Sequence, residues 1–183
     1  MTRVQSQLDN MLKSNGRISN TQGIKMAYDR DNKVYVRGNK MYVGGTVSAN
    51  DWKQNFTMLK TGQIRHMDRY KEARRVLLEN PQVDTLLGHS MGGSVVLELN
   101  NEFKDKNFKT RTYDAPVVSL ISPIFGFDRP TEQHKRFRKA GDLVSSLDNA
   151  AISYNADSLN PIRNHDVDGL VNIDDSIPEM GWI

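Results

Sequence analysis

Ser90, in the run Gly88-His89-Ser90-Met91-Gly92-Gly93, is the residue of this chain best placed to do chemistry. A serine hydroxyl is a weak nucleophile at its own pKa. It has to be presented to a base and held clear of its own backbone. A sharp turn between a strand and a helix does both, and glycines two residues either side let the neighbouring backbones pass closely. Gly88 and Gly92 hold those positions. The same turn aims the backbone N–H of the next residue, Met91, at an oxyanion forming on an attacked carbonyl. A Gly-x-Ser-x-Gly pattern alone arises by chance in about one chain of this length in twenty, so its surroundings decide.

The surroundings agree. Residues 83–87, Val-Asp-Thr-Leu-Leu, follow Asn80-Pro81 and have the length and texture of a buried strand. Beyond the motif, Val95, Val96, Leu99 and Phe103 recur at helical spacing, with Glu98, Asn101 and Glu102 expected on the other side. Upstream, residues 34–36 and 41–43 flank Gly38-Asn39 and predict a hairpin or two successive strands. Asn50 or Asp51 caps a predicted helix with Trp52, Phe56 and Leu59 on its inner face, and a second helix is predicted over about 66–79, with Met67, Tyr70, Ala73 and Leu77 inward. Residues 110–114 read as the next parallel strand, and Phe137-Arg138 as the start of another that ends at Gly141-Asp142. Residues 1–32 form a polar N-terminal extension with a peripheral helix over about 2–13, and the tail from 149 reads as loop. Strand and helix alternate through the middle, so the predicted fold is α/β, a mostly parallel central sheet flanked by helices, in one domain spanning 1–183.

A serine nucleophile needs a base, and a carboxylate to orient that base. The histidines are His66, His89, His134 and His165. His89 is inside the turn, where its side chain is expected to point away from the serine hydroxyl. His66 precedes the nucleophile and His134 lies in a basic run. On an α/β-hydrolase scaffold the triad follows in the order serine, acid, histidine, and that order would favour His165 over His66 and, less strongly, over His134. Asp142, at the carboxyl end of an expected strand, is the best-placed carboxylate, because ligands gather at that edge of open α/β sheets. Asp114 also ends a strand, but Ala115-Pro116 suggests a turn-forming role there.

Bulk properties narrow the class. The chain has 183 residues, 37% hydrophobic, with 25 basic and 22 acidic side chains and a net charge of +3. That is no strong nucleic-acid signal. There is no apolar stretch of spanning length and no apolar centre of a secretion signal near Met1, so a cytoplasmic or virion-associated location is expected. The absence of cysteine excludes disulfides, thiolate metal sites and cysteine nucleophiles. Sixteen asparagines against eight alanines suggest an AT-rich coding genome, microbial or viral.

Taken together, residues 34–170 resemble the class 3 lipases, the fungal-lipase-like branch of the α/β hydrolases. Residues 42–52, with Gly45-Thr46 and Asp51-Trp52, are similar to the family's strand ending in Arg-Gly-Thr or Arg-Gly-Ser followed by Asp-Trp. Residues 64–70 resemble the segment where a histidine precedes a long helix. Residues 87–93 match the Gly-His-Ser-Leu-Gly-Gly turn with Met91 for Leu, and 113–116 are similar to Phe-Gly-Ala-Pro with Asp114 where Gly is common. Residues 136–144 resemble the block that carries the catalytic Asp, with Leu143 for Pro. The resemblance implies Ser90 as nucleophile, Asp142 as carboxylate and His165 as base. It implies Thr46 and Met91 as oxyanion-hole donors, and no metal or cofactor. Gly44 stands where the family has Arg, so a structural polar contact is expected to be lost.

The implied activity is cleavage of carboxylic esters of lipids, as a lipase, phospholipase or esterase, through an acyl-enzyme. A thioesterase or acyltransferase would use the same triad. A non-catalytic lipase-like binding or assembly module is the reading from a different class. Residues 120–127 are the one apolar loop expected near the site. After it, Arg129, Lys135, Arg136, Arg138 and Lys139 crowd a short span, either as a solvated face or as a site for anionic lipid head groups in peripheral contact with a membrane.

Overall fold

The computed structural model describes residues 18–46, 63–116, 131–139 and 152–154. The helices expected over 2–13 and from 50 to 62, the apolar loop at 120–127, and Arg129, Asp142 and His165 lie outside the described residues. What is described is an α/β fold. Helix α1 (Asn20–Tyr28) precedes β1 (Val34–Arg37) and β2 (Lys40–Val43). Then come α2 (Asp68–Glu79), β3 (Thr85–His89), α3 (Met91–Glu102), β4 (Lys109–Tyr113), β5 (His134–Lys139) and β6 (Ile152–Tyr154). Short 3-10 turns occupy Ile64–His66 and Lys104–Lys106.

The six strands lie side by side in chain order, β1 to β6. β1 and β2 form an antiparallel hairpin across Gly38-Asn39, and β2 through β6 run parallel. Crossovers between parallel strands are right-handed. Two made in the same direction place their helices on the same face, and α2 and α3 do share one face. Tyr70, Ala73 and Leu77 of α2 and Val95, Val96 and Leu99 of α3 pack there on Met41, Val43 and Leu86. The other face is covered by α1, whose Ile24 and Ala27 meet Tyr42, Leu87, Tyr113 and Phe137. The period-two alternation of the strands supplies both sets.

Several expectations are corrected. Residues 20–28 form a helix in the polar N-terminal extension, where a helix is expected only over about 2–13. Ser19 and Gln22 make a capping box, with Gln22 N–H donating to Ser19 Oγ at 3.1 Å and Ser19 N–H to Gln22 Oε1 at 2.9 Å. β5 starts three positions before Phe137, at His134, and Ile152–Tyr154 makes a strand inside the supposed loop tail. Glu98 does not face solvent. It is buried on α3, where Arg65 Nε donates to its Oε1 at 2.6 Å. The predicted helix over 66–79 is present, with Tyr70, Ala73 and Leu77 buried as expected.

Two positions outside the site show what holds these elements. A Cβ on Gly23 of α1 would lie 2.2 Å from the Tyr42 ring, so α1 sits on the sheet at a distance only glycine allows. Helix propensity favours alanine there by about 1 kcal/mol, but steric overlap with a fully buried ring outweighs it. Gly23→Ala is therefore expected to lower stability by about 1–3 kcal/mol, read by chemical denaturation. On α2, hydrogen bonds from Arg75 and Asn32 hold the Glu72 carboxyl down at about 2. A lowered folded-state value contributes stability that is complete above the ordinary 4.5 and is lost as pH falls towards 2. Arg75 is half exposed, so screening keeps the effect below about 1 kcal/mol. Glu72→Gln should flatten the stability-versus-pH curve in that window, measured by denaturation at several pH values.

Candidate functional site

β3 runs straight into α3, and Ser90 is the one residue between them. It takes φ 54° and ψ −131°, a conformation L-residues rarely adopt, as the N-cap of α3. Its N–H donates to Tyr113 O on β4 at 2.9 Å, and its carbonyl accepts from Gly93 N at 2.8 Å. The flanking glycines are demanded by backbone. A Cβ on Gly88 would lie 2.4 Å from Gly92 O, and one on Gly92 would lie 2.2 Å from Val43 O. Strand β3, helix α3 and the end of β2 thus touch main chain to main chain around Ser90.

Met91 is the first residue of α3, where backbone N–H groups have no acceptor within the helix and the macrodipole is positive. β2 lies parallel beside β3, so its continuation, Gly44-Gly45-Thr46, emerges at the same edge. A Cβ on Gly45 would lie 2.7 Å from Ser90 Cβ, which puts the residue before Thr46 directly against the serine. The site edge therefore gathers Ser90, Met91 and the Gly45-Thr46 segment.

Beneath the turn, on the α1 face, lies a buried polar row. His89 Nδ1 hydrogen-bonds the Tyr28 hydroxyl at 2.7 Å, and its Nε2 is 3.9 Å from Asp114 Oδ2. Asp114 is fully buried with φ 49° at the end of β4. Glycine suits that left-handed position, and Asp is one of the few other residues that tolerate it. His89 is thereby held to α1 and β4. His134 stands at the opposite end of the sheet. It opens β5 opposite Thr110, whose Oγ1 is 3.1 Å from its Nδ1, while the β3 residue before Ser90 pairs with Tyr113. Three residues of strand separate those levels by roughly 10 Å, too far for a hydrogen bond to Ser90. His66 is exposed in its 3-10 turn.

The described members of the expected basic patch do not share one face. Lys135 pairs with Glu132 at 3.0 Å on the α1 side of β5, whereas Arg136 is turned to the α3 side and is buried. Arg138 shares the Arg136 side by alternation. Arg129 and the side chain of Lys139 lie outside the described residues.

α2 and α3, which bracket the site, are tied by polar contacts. The Tyr70 hydroxyl donates to Glu102, and Arg74 Nε donates to Glu102 Oε1 at 2.8 Å. Burial, then the Glu102 hydrogen bond, push the Tyr70 phenol well above its ordinary value. Burial raises the Glu102 carboxyl, but Tyr70 and Arg74 outweigh it and hold the group below the usual range. Arg69, in the first turn of α2, donates from Nη1 to Gly44 O at 2.8 Å and Gly45 O at 3.3 Å.

Tyr28 and Arg69 escaped the sequence reading. The Ser19-x-x-Gln22 capping box signalled the helix that presents Tyr28. A cation at the start of a helix, against the macrodipole, signalled Arg69. No family model matches the chain, and no curated protein matches it.

The turn carries a cost. Holding Ser90 at φ 54° stores about 1–3 kcal/mol, while a glycine there would add back somewhat less in unfolded-state entropy. Ser90→Gly should accordingly raise stability by about 1 kcal/mol in chemical denaturation. A decrease would show that the serine conformation is unstrained.

Proposed function

We propose that this chain is a serine hydrolase of the α/β-hydrolase type, of the class 3 lipase kind, that cleaves carboxylic esters of lipids. The observation that carries the reading is the conformation of Ser90, φ 54° and ψ −131° between β3 and α3, with the first N–H of α3 beside it. A serine at this φ and ψ is strained where a glycine would not be, which supports a role for its hydroxyl.

In this reading Ser90 Oγ attacks the ester carbonyl carbon while its proton passes to His165. The carbonyl oxygen becomes an oxyanion and accepts hydrogen bonds from the Thr46 and Met91 N–H groups. His165 returns the proton to the leaving alkoxide, the C–O bond breaks, and an acyl-enzyme and free alcohol result. Water then repeats the steps, giving the carboxylic acid and restoring Ser90. Asp142 orients and stabilises the imidazolium.

The strand layout supports the downstream partners. Asp142 follows β5 in the chain and His165 follows β6, and both strands run parallel to β3 with their carboxyl ends at the Ser90 edge. His134 opens β5 at the end of the sheet away from Ser90, which favours His165 over it as the base. Lipid head groups are left out of the proposal, because the basic residues of β5 are divided between two faces.

A fluorophosphonate probe should label the purified protein at Ser90, and Ser90→Ala should abolish both labelling and turnover of a short-chain nitrophenyl ester. Loss in kcat of several orders of magnitude is expected, on the order of 10⁴ or more. His165→Ala should lose turnover similarly, and His134→Ala should keep it. Unlabelled wild-type protein would favour a binding module instead.

A further inference from the structure

We propose that Arg69 is a positioning residue that aims the Thr46 N–H at the oxyanion, an inference that rests on the hydrolase reading of Ser90. Its Nη1 donates to the carbonyl oxygens of Gly44 and Gly45 at 2.8 and 3.3 Å. The Gly45 carbonyl and the Thr46 N–H belong to one planar trans peptide and point in opposite directions. Fixing the oxygen towards α2 fixes the N–H away from α2. Gly45 itself lies against Ser90, with a Cβ there only 2.7 Å from Ser90 Cβ, so this peptide borders the nucleophile.

Three physical points favour a positioning role over an incidental contact. Arg69 is the second residue of α2, where the positive end of the macrodipole disfavours a cation. Two carbonyl oxygens offset that cost. The segment it grips, Gly44-Gly45, has no side chains to anchor it, and the Gly44 N–H bond to Lys33 O at 2.9 Å secures only its strand end. A cationic donor on the Gly45 oxygen also polarises the peptide and strengthens Thr46 N–H as a donor.

Both contacts come from Nη1 of a planar guanidinium, whose reach and fixed donor directions a lysine ammonium on a flexible stem does not reproduce. Arg69→Ala is expected to lower kcat for a nitrophenyl ester by about tenfold to a hundredfold, less than loss of a direct oxyanion donor. KM should stay within about threefold. Arg69→Lys should recover only part of the loss. Millimolar methylguanidinium should raise kcat of Arg69→Ala and leave wild type unchanged, a rescue that a general loss of folded protein would not show. Circular-dichroism melts report the folded fraction alongside. An unchanged kcat, a loss confined to KM, or a loss that follows the folded fraction without rescue would overturn the role. Labelling by fluorophosphonate separates the two claims. Equal labelling rates for wild type and Arg69→Ala overturn Arg69 alone, whereas unlabelled wild type removes the Ser90 reading and this one with it.

Discussion

Everything at the carboxyl edge of this sheet depends on one close approach, where the main chain of α3 rests on the main chains of β3 and β2. Gly88 and Gly92 leave no room for a Cβ between those backbones. With the helix seated that deep, the chain must turn from strand to helix within a single residue, and Ser90 absorbs the turn at φ 54°. The positive end of α3 is then brought to the same point as the end of β2. Packing this tight is unforgiving, because backbone atoms cannot repack as side chains do.

The polar groups around the turn are arranged to keep it in place. On one face, the Tyr28–His89–Asp114 row joins α1, β3 and β4 below the serine. On the other, Tyr70, Arg74 and Glu102 tie α2 to α3, and Arg65 neutralises the buried Glu98. Buried polar groups of this kind add little net stability, but each would be costly in any alternative packing that broke its pairing. They define one geometry rather than a deeper well.

Much of this was legible in the residues. The Gly-x-Ser-x-Gly spacing, the apolar run before it and the helical run after it marked β3 and α3, because buried parallel strands and core helices carry strong hydrophobic patterns. The strands on either side of Gly38-Asn39 were also legible, as a hairpin or two successive strands, and their antiparallel pairing decides for the hairpin. α1 was hidden because its contact residue with Tyr42 is a glycine, which reads as a breaker. Glu98 was misplaced because charge is normally a sign of solvent, and nothing local reveals a partner at Arg65. β6 is three residues long, too short for any period to show. The basic run at 135–139 looked like one patch because linear crowding carries no information about which face of a strand each side chain takes.

The order of the strands has a consequence for how the chain reaches its folded state. Among the described strands, neighbours in the sheet are neighbours in sequence, so none of these has to be inserted between two that are already paired. The β1–β2 hairpin closes the shortest loop, and each later described strand pairs with the one before it in the chain. Pairing strands that are consecutive in the chain keeps the contact order lower than an inserted strand would, even in a mostly parallel sheet. The turn at Ser90 is completed across a strand pair, because its N–H donates to Tyr113 O of β4, so its geometry depends on β3 and β4 being joined.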